Sequence, residues 1–221
     1  MIIIMLGAPG TGKGTVASML AENLNIPQIS TGDIFRKAIS EKTPLGIEAD
    51  KYISQGNLVP DELTIKIVEE RLKEDDTKNG AILDGFPRTE NQAKVLEDFL
   101  KEQGKKVDIA INLTTPEEEI IERIVNRRIC SNQECKAVYN ITLSPSKVEG
   151  ICDKCGSKLT QRKDDNEETI RNRLNTYYAT SQPVIDFYKE RNTLYPAEVS
   201  KTINKMGRDV AKDLIKMLKE E

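Results

Sequence analysis

The chain has 221 residues and no histidine, so a histidine acid–base relay and a histidine metal ligand are both excluded. It also lacks any apolar run close to the ~18 residues that suggest a membrane span. The apolar stretch Ile2–Leu6 has no preceding basic segment and is too short for a signal peptide. We therefore expect a cytoplasmic protein without a membrane partner.

An excess of positive charge is absent as well, because 33 basic residues stand against 36 acidic ones and the net charge is −3. The chain has no general attraction for nucleic acid, and we expect no nucleic-acid partner. Any anion site must be built locally. A composition of 38% hydrophobic and 31% charged residues is ordinary for a globular protein, either one domain or a main domain with insertions.

Cysteine occurs only four times, and all four lie in one short segment: Cys130, Cys135, Cys152 and Cys155. Two close pairs at this separation predict a tetrahedral site with four thiolates, for which zinc is the default metal. A filled site of this kind has no open position, so its role is structural. Reduced free thiols are the alternative. A zinc ribbon that binds nucleic acid is disfavoured because lysines and acidic residues balance in this segment.

The stretch GAPGTGKGT, Gly7–Thr15, follows a buried-strand pattern and precedes a helical one. This context and the pattern G-x-x-x-x-G-K predict a phosphate-binding loop, with Lys13 directed to the β/γ-phosphates. A tight strand-to-helix turn is the alternative. The residues predicted to contact ATP here are Gly10, Thr11, Gly12, Lys13, Gly14 and Thr15.

Gly14 occupies the place where many phosphate loops have the hydroxyl that binds Mg²⁺. The sequence also lacks a guanine-reading motif, since Asn204–Gly207 has no aspartate. We therefore predict a phosphotransferase in which phosphates and water carry more of the Mg²⁺ coordination, with Asp33 and Asp84 as candidates to hold metal-bound water.

Strand-like and helix-like segments alternate through most of the chain, which predicts a doubly wound parallel α/β sheet. Ala81–Asp84 and Val107–Leu113 read as buried strands, and Thr115 with Glu118 reads as a helix-capping box. Two stretches interrupt this alternation, a helical one at 30–60 and one rich in Cys, Pro, Gly and Lys at 127–165. The remaining residues, 1–29, 61–126 and 166–221, form the predicted core.

Six motifs in this order resemble the adenylate kinases, in particular their long, zinc-containing form, over nearly the whole chain. They are GAPGTGKGT, ISTGDIFR, LDGFPRTENQA, ERIVNRR, KVEGICDKCG and QRKDDNEETIRNRL. The resemblance implies a P-loop NTPase fold in which 30–60 binds AMP and 127–165 is a zinc-bearing lid. It implies Mg-dependent, reversible transfer of the γ-phosphoryl group of ATP to AMP to give two ADP. We expect a monomer.

The residues suit this reaction, because a phosphate oxygen that is already anionic attacks without a general base. Such a transfer needs positioning and charge neutralisation, which planar guanidinium groups supply. Arg123 and Arg127 are four apart and are expected on one helix face, where they bind ATP. A solvated surface position is the alternative for each arginine alone. The predicted catalytic residues are Lys13, Arg88, Arg123, Arg127, Arg162 and Arg173.

The resemblance also implies an AMP pocket and an adenine contact for ATP. Val138 and Tyr139 are implied beside the ATP adenine, although Tyr139 could equally be core of the small insert. Asp164 and Asp165 are expected to orient arginines. The implied AMP-binding residues are Thr31, Arg36, Asn57, Leu58, Val59, Gly85, Phe86, Pro87, Arg88, Gln92, Arg162 and Arg173.

Two departures from the family pattern and two alternative functions complete the prediction. Four residues separate Cys130 from Cys135, where the family usually has two, and residues 201–209 show no clear equivalent of the turn that contacts the ATP adenine. The alternatives are a nucleoside-monophosphate kinase with another acceptor, such as UMP or CMP, and a nucleotide-sensing module without turnover.

Overall fold

The computed structural model describes residues 1–132, 134–135, 137–201 and 206–220. A central parallel sheet has the strand order β2-β3-β1-β4-β8, and a second, antiparallel sheet has the order β6-β5-β7. The strands are β1 Ile2–Gly7, β2 Gln28–Ser30, β3 Ala81–Asp84, β4 Ile109–Thr114, β5 Arg127–Cys130, β6 Val138–Asn140, β7 Leu159–Thr160 and β8 Leu194–Glu198.

Helices cover both faces of the central sheet, which confirms the predicted doubly wound α/β fold. They are α1 Lys13–Leu24, α2 Thr31–Ser40, α3 Pro44–Ile53, α4 Asp61–Leu72, α5 Glu90–Glu102, α6 Glu117–Val125, α7 Glu167–Glu190 and α8 Gly207–Glu220. One face packs against buried residues of α4, α5 and α7, and the other against α1 and α8. The fully buried pattern of β1 follows from this double cover.

The two stretches that interrupt the alternation form separate packing units. Helices α2 and α3 bury Phe35 and Ala49 together with Val59 in a small core of their own. The antiparallel sheet β6-β5-β7 carries the cysteine segment and has its own buried cluster, which includes Cys130 and Cys152.

Side-chain caps fix the starts of several helices. Ser30, Thr89 and Asn166 each accept a hydrogen bond from a backbone N–H in the first turn of the helix that follows. The predicted capping box at Thr115 is wrong, because α6 begins after Pro116 and has no side-chain cap. The Thr115 hydroxyl donates instead to the Val199 carbonyl oxygen at 2.7 Å, so it joins α6 to the end of β8.

The described part of the tail resumes at Met206, so half of the stretch Asn204–Gly207, its first two residues, lies outside the described residues. Among the described helices, none has the length and apolar character needed to cross a membrane.

Candidate active site

The phosphate loop opens at the carboxyl edge of the central sheet. Strand β1 ends at Gly7, and its neighbours β3 and β4 end at Asp84 and Thr114. Ligands of open α/β sheets bind at this edge, where the chain leaves the strands. The loop, Asp84 and the residues after β2 therefore face one shared cleft.

Glycines give this loop its shape. Gly10 and Gly12 adopt positive φ angles of 87° and 99°, which other residues adopt only with strain. Gly12 is the N-cap of α1 and supplies no side-chain cap, so the N–H groups of Lys13 and Gly14 remain available to an anion. Gly14 and Thr15 are both exposed in this first turn.

The Lys13 ammonium group is held at the mouth of the loop. It donates hydrogen bonds to the carbonyl oxygens of Gly7 and Ala8, at 2.6 and 2.8 Å. Burial lowers the pKa of Lys13 to about 8, while the nearby Asp84 carboxylate opposes this shift. Three positive charges also lower it, those of Arg88, Arg173 and Arg127. Lys13 therefore lies within the electrostatic field of the predicted catalytic arginines.

Gly14 lies against the Asp84 carboxylate. A Cβ atom added at Gly14 would be 3.6 Å from Asp84 Oδ2, which is ordinary van der Waals contact. The same oxygen accepts a hydrogen bond from Gln28 Nε2 at 3.1 Å. A small side chain would fit at Gly14, and glycine leaves that space beside the carboxylate open.

Five of the predicted arginines form, with Lys13, one cluster of positive charges that act on one another: Arg36, Arg88, Arg127, Arg162 and Arg173. Burial is the main cause that lowers the pKa of Arg162, and the positive charges of Arg36 and Arg127 add to it. Burial likewise lowers the pKa of Arg173. So many cations in one partly buried place repel one another, and polyphosphate would relieve that repulsion.

Carboxylates accept hydrogen bonds from three of these arginines. Asp33 accepts from Arg36 at 2.6 Å, and Asp164 accepts from Arg173 at 2.9 Å. Asp165 pairs with Arg127 through both carboxylate oxygens. A side chain buried as deeply as that of Asp165, with an arginine on it, orients the guanidinium group.

Arg162 reaches the first insertion from the second. Its Nη2 atom is 3.9 Å from Asp33 Oδ1, and its Nε atom is buried without a hydrogen-bond partner among the described residues. A buried donor of this kind is available to a ligand oxygen. Arg162 thus belongs to the second insertion and approaches the first one at Asp33.

The structure places Arg123 in a different network. Helix α6 ends at Val125 and Arg127 begins β5, so the expectation that Arg123 and Arg127 share one helix face is wrong. Arg123 donates to Glu119 at 2.7 Å and to the Val199 carbonyl at 3.3 Å. Its contacts therefore join α6 to the chain that follows β8.

A cleft lies between α2, α3 and α7. Most of the residues predicted to bind AMP line it: Thr31, Arg36, Asn57, Leu58, Val59, Arg88, Gln92 and Arg173. Gly85 borders this group through its carbonyl oxygen, which accepts from Thr31 at 2.9 Å. Phe86 and Pro87 are buried, and Phe86 belongs to the main core below the cleft.

Gln92 is fixed by a residue that sequence reasoning missed. Its Nε2 atom donates to Asp61 Oδ1 at 2.7 Å, and its Oε1 atom accepts from the Arg88 backbone N–H at 2.7 Å. Asp61 Oδ2 also accepts from Thr89 and Asn91. An amide held in this way has one further N–H to offer to a ligand. Nothing in the local sequence around Asp61 shows these partners, which lie about thirty residues away.

The four cysteine sulfurs lie within 4.8 Å of one another. Cys130 Sγ is 3.4 Å from Cys155 Sγ, and Cys135 Sγ is 3.7 Å from Cys152 Sγ. With Zn–S bonds of about 2.3 Å, a regular ZnS₄ tetrahedron has edges of about 3.8 Å. The thiols therefore fit a tetrahedral zinc ion, and the longer spacing between Cys130 and Cys135 does not prevent this arrangement.

Comparison with known proteins identifies the family of this chain. The family model described as Adenylate kinase matches residues 5–193. The chain belongs to the adenylate kinase family. It is 51% identical to the adenylate kinase of Clostridium tetani over 211 residues, which cover 96% of this chain and 97% of that protein. It is also 50% identical to the adenylate kinase of Staphylococcus aureus Mu50 over 218 residues, which cover 99% of both chains.

Membership in the adenylate kinase family confirms the predicted enzyme class. The chain is a phosphotransferase, and its reaction involves ATP, AMP and ADP. An adenylate kinase from Clostridium perfringens SM101 is 50% identical over 97% of this chain. The phosphate loop, the arginine cluster and the four thiols are thus parts of an adenylate kinase.

Proposed function

We propose that this adenylate kinase uses the described cleft to transfer the γ-phosphoryl group of ATP to AMP, reversibly and with Mg²⁺. The convergence of Lys13 with five arginines carries this proposal. The phosphate loop, the first insertion and the second insertion all contribute to that one cluster, as a transfer between two phosphate chains requires.

ATP would bind along the phosphate loop. The N–H groups of Lys13 and Gly14 at the start of α1 would face its phosphates, and Lys13 supplies a full charge beside them. Arg127, which belongs to the second insertion, adds its positive charge to this region. Arg123 would contact ATP through its buried Nε atom, which has no partner among the described residues. Val138 stays a candidate for the adenine end, since it is 48% exposed.

AMP would occupy the cleft between α2, α3 and α7. Arg36, Arg88 and Arg173 line it and would bind the AMP phosphate, while Gln92 has an N–H free for the adenine edge. Leu58 and Val59 lie on the insertion side of the same cleft. We therefore assign 30–60 as the AMP-binding region, 127–165 as the lid and the rest as the core.

In the transfer an oxygen of the AMP phosphate forms the new P–O bond while the bond between the γ-phosphorus and the β,γ-bridging oxygen breaks. No proton has to leave the attacking oxygen, so the absence of histidine is no obstacle. The guanidinium groups neutralise the transferred group, and lid closure excludes water that could accept it. Mg²⁺ bound with ATP supplies further charge neutralisation, and Asp84 and Asp33 would hold its water ligands.

We further propose a structural zinc ion in the lid, held by Cys130, Cys135, Cys152 and Cys155. The near-tetrahedral placement of their sulfurs supports it. Every group named for catalysis comes from one chain, so we propose that the monomer is the active unit.

A coupled assay of ADP production tests the function. ATP with AMP, CMP, UMP or GMP as acceptor should give rapid turnover with AMP alone, and the Lys13→Ala variant provides the background rate. Preference for CMP or UMP would support the other-acceptor kinase. No turnover with any acceptor would support a nucleotide-sensing module.

A further inference from the structure

The Tyr139 hydroxyl lies between a cysteine of the lid and the backbone of the turn that carries it. Tyr139 Oη is 3.5 Å from Cys152 Sγ and 2.8 Å from the Asp153 backbone nitrogen. A backbone N–H can only donate, so the hydroxyl accepts from Asp153. Its own proton is then directed to the remaining neighbour, the Cys152 sulfur.

The strand that carries Tyr139 presents it to the cysteine cluster. Tyr139 packs with Cys130, Cys135 and Cys152 in the small core of the lid. Its neighbour Val138 is 48% exposed, as expected when successive side chains of a strand point to opposite faces. The two residues predicted beside the ATP adenine thus face different surroundings, and Tyr139 belongs to the lid core.

We infer that Tyr139 is a positioning residue for the metal of the lid, an inference that rests on the zinc site proposed above. Its hydroxyl stabilises the Cys152 thiolate and fixes the direction of that sulfur. The hydrogen bond from Asp153 joins β6 to the Cys152–Cys155 turn, and Asp153 Oδ1 in turn accepts from the Lys147 backbone N–H at 2.9 Å. One hydroxyl therefore contacts both the Cys152 sulfur and the backbone of the turn that carries Cys152 and Cys155.

Removal of such an outer partner weakens metal binding by about 10–100-fold. The variant Tyr139→Phe removes the hydroxyl and keeps the ring, so packing of the lid core is preserved. The measurement is transfer of zinc from the full-length protein to a chromogenic chelator, which gives the dissociation constant. We expect Tyr139→Phe to bind zinc about 10–100-fold more weakly than the parent protein.

Tyr195→Phe is the matched control, because Tyr195 lies on β8 of the central sheet and is 39% exposed. It should retain zinc as the parent does. Cobalt gives a second readout: the thiolate-to-cobalt absorption band should shift in Tyr139→Phe and stay in place in Tyr195→Phe.

Equal zinc affinity and an unshifted cobalt band in Tyr139→Phe would overturn the inference while leaving the zinc site intact. A parent protein that contains no zinc and binds none would overturn the zinc site, and the role of Tyr139 with it. The adenylate kinase assay of the same parent sample shows whether the proposed activity stands independently.

Discussion

The Arg127 guanidinium group and the Asp165 carboxylate join the two ends of the lid through two hydrogen bonds. The bond from Nε to Oδ2 is 2.8 Å long, and the Asp165 side chain is 0% exposed. Because we assign 127–165 as the lid, this pair lies at the base of the proposed segment. It also directs a cation that we assign to ATP.

Replacement of Asp165 by Asn should destabilise the protein and lower its kcat. The variant keeps the shape but leaves Arg127 without its charge partner, and breaking a buried pair costs about 3–5 kcal/mol. We expect a melting temperature lower by about 6–20 °C, and a lower kcat because Arg127 is no longer held in position. Glu167→Gln is the control, because it breaks the exposed pair with Arg171 and should change little. Equal melting temperatures for the two variants would contradict the role of this ion pair.

Lys13→Ala should lower kcat by about 10²–10³-fold while the fold survives, since it removes a group that stabilises transferring phosphate. The fold should tolerate the change because it also removes a cation from an environment that lowers its pKa. Steady-state kinetics and thermal melting measure the two effects. Lys37→Ala serves as control, because Lys37 is an exposed lysine on α2. Retained activity in Lys13→Ala would refute the assigned role of the loop.

The activity should fall at moderately alkaline pH. Burial lowers the pKa of Lys13 to about 8, so its ammonium group loses its proton, and its charge, as the pH rises through that value. The profile of kcat/KM for Mg-ATP reports the free enzyme, and we expect it to decline above pH of about 8. Bound phosphate restores the charged form, so kcat should decline only at higher pH. A kcat/KM that stays level to pH of about 10 would show that Lys13 keeps its proton.

The sequence predicted the elements whose signals are local. Strand β1 and the glycine loop lie together in fifteen residues, where a buried strand, glycines and a lysine in register jointly indicate a phosphate site. The cysteine cluster was predictable for the same reason, because thiol spacing alone limits the chemistry. The fold class followed from the alternation of such local signals.

The rest depended on contacts between distant segments. The end of α6 at Val125 is set by the lid sheet that begins at Arg127, and helical spacing alone extends the helix too far. Thr115 has a capping partner nearby in sequence, yet its hydroxyl binds the Val199 carbonyl 84 residues away. Asp61 supports Gln92 in the same long-range manner. No local sequence pattern predicts such contacts between distant residues.

Elemental analysis should find about one zinc per chain, because four thiolates fill a tetrahedral site. Chelation should then lower the melting temperature, since the metal holds segments at both ends of the lid. The variant Cys135→Ser should lose zinc affinity, and chelator should lower its melting temperature less than that of the parent. A metal-free parent with unchanged stability would contradict the site.

The AMP-binding region rests on α7 through a turn centred on Gly56. This residue is buried and has a φ angle of 78°, and a Cβ atom added there would be 3.0 Å from the Thr169 carbonyl oxygen. It would also be 3.0 Å from Arg173 Cγ. Beside it the Asn172 side chain donates to the backbone carbonyl of Gln55. The close approach of this turn to α7 therefore sets the distance between the AMP-binding region and Arg173.

Gly56→Ala should raise the KM for AMP more than the KM for ATP, because the added methyl group pushes the turn away from α7 and displaces Arg173. The left-handed backbone adds about 1–2 kcal/mol of strain. Gly104→Ala is the matched control: its φ angle is 67°, but an added Cβ meets no described atom within 4 Å. Gly104→Ala should lose stability as Gly56→Ala does, but its KM for AMP should be unchanged. Kinetics with each nucleotide varied in turn separates the two effects, and an equal KM for AMP in both variants would show that the contact does not position Arg173.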